Sequence, residues 1–197
     1  MGGNKNIFEG GKLNKMAGGI DIFVGCYGAS EFKKKFYISD SLILDTISFF
    51  YLISSKFEWN AFNDLKETLI GGTIGYNYGK EFQEAEKAKI IMVYRVTNNS
   101  QNFRKLLFKR IVAFPMSTLP GYVMLYKNFK QKDINQITNH TKPVHSTHIY
   151  LLLSKTHKKN KSRITVFNRS LKKLKDSGKY DQYFDKTLEF FRETYVK

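Results

Sequence analysis

The run Gly75-Tyr76-Asn77-Tyr78 combines the residue types best suited to holding a ligand. It lies between a strand and a helix, where unpaired backbone N–H groups and the helix dipole attract an anion. Gly75 admits a close backbone approach, Asn77 can cap the helix, and Tyr76 and Tyr78 offer rings for stacking and hydroxyls for donation. An ordinary capped helix start is the alternative reading of the same residues. Other spacings carry less chemistry. His140, His145 and His148 lie close in sequence but have no cysteine and no i, i+4 helical pair beside them, so they read as loop histidines and not as metal ligands. Ser30-Glu31 and Ser117 lack a nucleophile motif, and Gly71, Gly72 and Gly75 read G-G-x-x-G, which is neither a dinucleotide fingerprint nor a P-loop. No catalytic residue, metal or cofactor is expected.

The elements that must position these groups alternate between strand and helix. Gly19–Gly25, Ile47–Ile53 and Lys89–Val96 read as short buried strands. Asn60–Glu67 and Tyr78–Lys87 read as short helices. In Ser100–Arg110, Phe103, Leu106 and Leu107 share one face while Lys105, Lys109 and Arg110 turn away. Ile111–Phe114 follows as a strand, and Pro120 suits the first turn of the next helix. Asp133–His145 is polar and turn-rich, Thr147–Leu153 returns as a strand, and helices over Ser162–Ser177 and Asp181–Tyr195 close the chain. This alternation predicts an α/β fold with a mainly parallel sheet and helices on both faces.

Composition narrows the function class. The 197 residues carry 33 Lys and Arg against 17 Asp and Glu, a net charge of +16, and 42% of them are apolar. The basic residues fall in separate runs (Lys33–Lys35, Lys155–Arg163, Lys172–Lys175) with no recognised nucleic-acid module, so they read as solvated faces and nucleic acid is not an expected partner. Cys26 is the sole cysteine, which excludes a disulfide framework. The longest apolar run, Ile47–Ile53, is too short to span a bilayer. Met1–Asn6 contains no apolar signal core, so the chain as written carries no export address and would be cytoplasmic if it were the whole product.

In order along the chain, four stretches resemble the extracytoplasmic solute-binding proteins of ABC transporters, family 3, the branch that takes polar amino acids. Gly19-Ile-Asp-Ile-Phe-Val-Gly25 with Lys33-Lys-Lys-Phe-Tyr-Ile-Ser-Asp40 is similar to that family's "GkiDai…eRkkxxxFSDP". Trp59 to Gly79, with Asn63-Asp-Leu-Lys66 and Ile70-Gly-Gly-Thr-Ile-Gly75, resembles "W…leDLKGkkiGv…G". Phe103–Ala113 is similar to "LxxGriDA", and Phe167–Tyr180 to "fNkaLkkLkesGkyd". The resemblance runs from about Leu13 to Tyr183.

It implies a periplasmic-binding-protein-like fold of two α/β lobes joined by crossover hinge strands. Residues 1–46 would be part of lobe I, 47–149 lobe II, and 150–197 a return to lobe I with the C-terminal helices. Lobe I is expected to be incomplete, because the family's opening strand, helix and strand have no counterpart here. The resemblance also implies a non-catalytic monomer in the periplasm. It would hold a small solute, an amino acid or small organic anion, in the cleft between lobes and deliver it to an ABC permease. Tyr27, Ala29 and Phe32 would form the lobe I wall, and Ser117 a polar contact in lobe II. Phe32 stands where the family's ligand-forking Arg would be, Ala29 where it has Thr, and Ser117 where it has the Asp that receives an ammonium group. A second function class remains open: a non-transport remnant, or a basic interaction module meeting an acidic partner.

Overall fold

A computed structural model describes residues 33–195 of the chain and, before them, the strand segments Phe8–Glu9 (β1), Lys12–Leu13 (β2) and Ile22–Cys26 (β3). The contacts divide the chain into two compact units. One comprises Met1–Leu44 and His148–Ser177, the other Asp45–Thr147 and Gly178–Lys197. The chain passes between them inside two strands, Ile43–Leu52 (β5) and Ile137–Ser154 (β9).

In the unit that contains residue 33, Phe36–Ile38 (β4) and β3 both pair antiparallel with β9, in registers Phe36↔Ser154 and Ile22↔Leu153. Asn168, in the helix Asn160–Asp176, fixes the chain after β4, because Asp40 N–H donates to Asn168 Oδ1 at 3.0 Å.

The second unit holds the strands Leu69–Thr73 (β6), Met92–Val96 (β7) and Ala113–Ser117 (β8) in the spatial order β5-β8-β6-β7. Lys80–Lys87 (α1) links β6 to β7, and Asn99–Leu107 (α2) links β7 to β8. These crossovers make β6 parallel to β7 (Leu69↔Met92) and to β8 (Ile70↔Ala113). Strand β5 is antiparallel to β8 (Ile47↔Ser117), and the β9 pairs are antiparallel too. The sheet is therefore mixed, which corrects the expectation of a mainly parallel one; only the strands joined through α1 and α2 obey the crossover rule.

Alternation along β5 sends Ile47 and Phe49 to one face and Phe50 and Leu52 to the other. The first face packs with Trp59, Ile70, Tyr78, Phe82 and Ala85, the second with Phe103, Leu106, Phe114 and Leu125. Phe82 and Ala85 of α1, and Phe103 and Leu106 of α2, are i, i+3 pairs, so each helix covers its own side of the sheet. Thr118–Asn128 (α3) and the short Gln131–Ile134 (α4) add Leu125 and Ile134 to the second face. Asn160–Asp176 (α5) and Lys179–Tyr195 (α6) complete the chain, α6 running against α3.

Some boundaries differ from expectation for identifiable reasons. Residues 60–67 form a 3-10 turn, Phe62–Leu65, because the Asp64 carboxylate accepts from both Asn60 N–H and Ala61 N–H at 2.8 Å and tightens the segment. Those two bonds also hold the Asp64 carboxyl below its ordinary range. Residues 137–145, expected as turns, are strand. His140 and Val144 are buried there while Thr141, Lys142 and Pro143 face solvent, a polar surface that an antiparallel strand tolerates. Among the described residues, no helix is long and apolar enough to cross a membrane.

Candidate functional site

Strands β6, β7 and β8 end on the same edge of the sheet, at Thr73, Val96 and Ser117. In open α/β sheets ligands bind beyond such carboxyl ends. The segment after β6 departs from a plain strand-to-helix turn. Gly75 has φ +80° and a Cβ there would meet nothing, so the turn is open to solvent. Asn77 does not cap α1. Its Oδ1 accepts from Gly79 N–H at 2.9 Å, and the residue ahead of the helix is Gly79, at φ +102° with no side-chain cap. The helix consequently begins at Lys80, two residues later than the sequence pattern predicts. Backbone N–H groups of Gly75, Asn77 and Tyr78 meet no acceptor among the described residues.

The two tyrosines take different places. Tyr76 is exposed and stacks over Tyr78, with ring centroids 6.2 Å apart. Tyr78 is buried, packs edge-on against Phe82, and its hydroxyl accepts from Thr73 N–H at 2.7 Å. Its side chain anchors the turn from beneath, and with the residue 1% exposed neither its ring nor its backbone N–H faces solvent. Thr73 is held from a second side: its hydroxyl donates to Asn99 Oδ1 at 2.6 Å and accepts from Asn102 Nδ2 at 3.1 Å.

Burial raises the Tyr78 phenol pKa above its ordinary value. The folded protein thus holds this proton more tightly than the unfolded chain does. The associated stability is complete below about pH 10 and is lost as pH rises through the folded value. Tyr78→Phe should remove that part of the alkaline loss, although Tyr122, shifted the same way, keeps its own. The variant should also cost about 1–3 kcal/mol near neutrality, since Thr73 N–H loses a buried partner. Urea unfolding at about pH 7 and about pH 10.5 measures both effects.

At the end of β8, Ser117 Oγ donates to Asp45 Oδ2 at 2.8 Å, and Thr118 Oγ1 donates to the Thr46 carbonyl at 3.0 Å. The second carboxylate oxygen of Asp45 has no partner among the described residues. A carboxylate from β5 therefore stands beside the neutral Ser117. Sequence reasoning passed over Asp45 because 72 residues separate it from Ser117. Arg95 was also missed: it lies on β7, and its guanidinium reaches the carbonyls of Thr73 and Tyr76 and the carboxylate of Glu86.

Tyr27, Ala29 and Phe32 lie outside the described residues. The three histidines go to different neighbours. His140 is buried against Phe57 and Trp59, with Nδ1 accepting from Lys142 N–H at 3.0 Å and Nε2 3.1 Å from Glu58 Oε2. His145 lies against Gly79, where an added Cβ would come within 2.7 Å of its ring. His148 Nδ1 is 2.7 Å from Ser41 Oγ.

No protein-family profile matches the chain, and neither does any curated protein. Solved structures do. The substrate-binding domain 2 of GlnP from Lactococcus lactis, in an open conformation, superposes with a TM-score of 0.63 at 18% identity, covering 84% of this chain and 67% of that one. The amino acid ABC transporter substrate-binding protein AbpA from Streptococcus pneumoniae, bound to L-arginine, gives 0.57 at 16%, covering 82% and 64%. Holo ArgBP from T. maritima gives 0.51 at 18%, covering 74% and 59%. The chain thus spans about two thirds or less of each of these three structures. At these identities the likeness establishes architecture, and the chain has the fold of the amino acid ABC transporter substrate-binding proteins.

Proposed function

We propose that the chain is a solute-binding protein that holds a small amino acid or organic anion, without catalysis, in the manner of the amino-acid-binding component of an ABC transporter. The observation that carries this reading is the paired chemistry at one sheet edge. The unpaired, exposed N–H groups of Gly75 and Asn77 follow β6, and the Asp45 carboxylate of β5 stands beside Ser117 at the end of the adjacent β8. Asp45 lies on β5, two strand spacings or roughly 10 Å from β6, and its carboxylate meets Ser117 of the strand between, an arrangement that suits a ligand with an anionic group at one end and a cationic group at the other. The N–H groups favour the anionic end and the carboxylate the cationic one. The two-lobed fold supports the rest of the reading: a cleft between lobes, work outside the cytoplasmic membrane, and delivery to a permease.

The test is a thermal melt run alone and against amino acids, small carboxylates, aromatic acids and polyphosphate. Ligand at a hundredfold excess over its dissociation constant stabilises by about 2.7 kcal/mol, roughly 5–11 °C for a chain of this size. A shift with one class of small solute supports the proposal. A shift with polyphosphate alone that disappears in salt would replace it with the interaction-module reading.

A further inference from the structure

We infer that Arg95 is the positioning residue of the solute site, holding the turn after β6 so that Asn77 N–H faces outward; this rests on the solute-binding reading. A guanidinium has N–H donors for five hydrogen bonds, and in Arg95 every one is used. Nε and one Nη grip Glu86 in a fork, at 2.8 and 2.6 Å. The same Nη also donates to Gln83 Oε1 at 3.3 Å. The other Nη donates to the carbonyl of Thr73 at 2.7 Å and of Tyr76 at 3.3 Å. The guanidinium also lies 5.5 Å from the centre of the Tyr78 ring.

The consequences follow from peptide geometry. In a trans peptide the carbonyl and the next residue's N–H point opposite ways: behind the Thr73 carbonyl, Ile74 N–H donates to the Val96 carbonyl at 2.8 Å, and the Tyr76 carbonyl, held by Arg95 at 3.3 Å, turns Asn77 N–H away from the guanidinium. Asn77 N–H, with Gly75 N–H in the same turn, meets no acceptor among the described residues, and both residues are exposed. With every donor engaged, Arg95 has none to offer a ligand, so its influence on binding runs through the turn. Glu86 and Gln83, one helical turn apart on α1, fix the guanidinium against the helix. The arginine thereby ties β6, β7 and α1 to a single turn conformation. Lysine keeps the charge but cannot fork onto Glu86 while bridging two carbonyls.

The experiment uses the full chain, its Arg95→Lys variant and Glu86→Gln, followed by amide NMR and thermal melts, with inorganic phosphate and L-glutamine as probes. In the parent, phosphate should perturb the Gly75 and Asn77 amides. In Arg95→Lys those amides should shift before any probe is added, and the response to either probe should weaken by at least about tenfold. Glu86→Gln, which retains part of the fork, should fall between the two. The melting midpoint of Arg95→Lys should stay within about 4 °C of the parent. The inference is overturned if phosphate leaves the parent's turn amides unmoved. It is equally overturned if Arg95→Lys binds both probes as the parent does. If phosphate acts as described and no amino acid or small carboxylate binds, the solute reading fails while the positioning role stands.

Discussion

Phe50→Ala should lower the melting midpoint by roughly 6–20 °C, the consequence of about 3–5 kcal/mol for emptying a packed aromatic site. Phe50 is fully buried in β5 and meets Phe103 and Tyr122 edge-on, each at 5.4 Å between ring centroids, and Phe114 at 6.0 Å. It also closes against the backbone of α3, where a Cβ on Gly121 would fall 2.4 Å from its Cζ. Neighbours packed this tightly have little freedom to collapse into the void. Calorimetry or circular dichroism would show the loss. A midpoint within about 3 °C of the parent would mean that this layer is not the core of the unit.

Asp45→Asn should weaken binding of a zwitterionic amino acid by roughly 10- to 150-fold, the equivalent of one charge-assisted contact at about 1.5–3 kcal/mol. The substitution keeps an oxygen that can accept from Ser117 Oγ, so the fold around β8 should be retained. The matching α-hydroxy acid, which carries the carboxylate but no ammonium, should bind variant and parent alike. Titration calorimetry on the two ligands separates these cases. Equal loss for both would show that Asp45 acts on the fold and not on a cationic group.

Much of the architecture is legible in residue order because it depends on local signals. The i, i+3 pairs Phe82–Ala85 and Phe103–Leu106 mark the helix faces, and apolar runs mark the strands that those helices cover. The turn at Gly75 is legible for the same reason, as a glycine between a strand and a helix. Side chains that act at a distance are not. Arg95 looks like an exposed polar residue of a short strand, and only the β6-β7 pairing brings the carbonyl of Thr73, 22 positions away, to its guanidinium. Tyr78 reads as a ligand contact because its ring can stack and its hydroxyl can donate. Its ring instead fills the space over Phe82, while Gly79, at φ +102°, sets the start of α1 at Lys80. The strand at 137–145 is concealed by its polar composition. Its core contribution comes from isolated residues such as His140 and Val144, which no period marks.

The most direct measurement is an amide NMR titration of the full chain with the members of the amino acid and carboxylate panel. At least one of them should bind saturably and shift the amides of Gly75, Asn77 and Ser117 together, with a common dissociation constant. Saturable binding that leaves those three amides in place, or no binding by any member, would contradict the solute-binding reading.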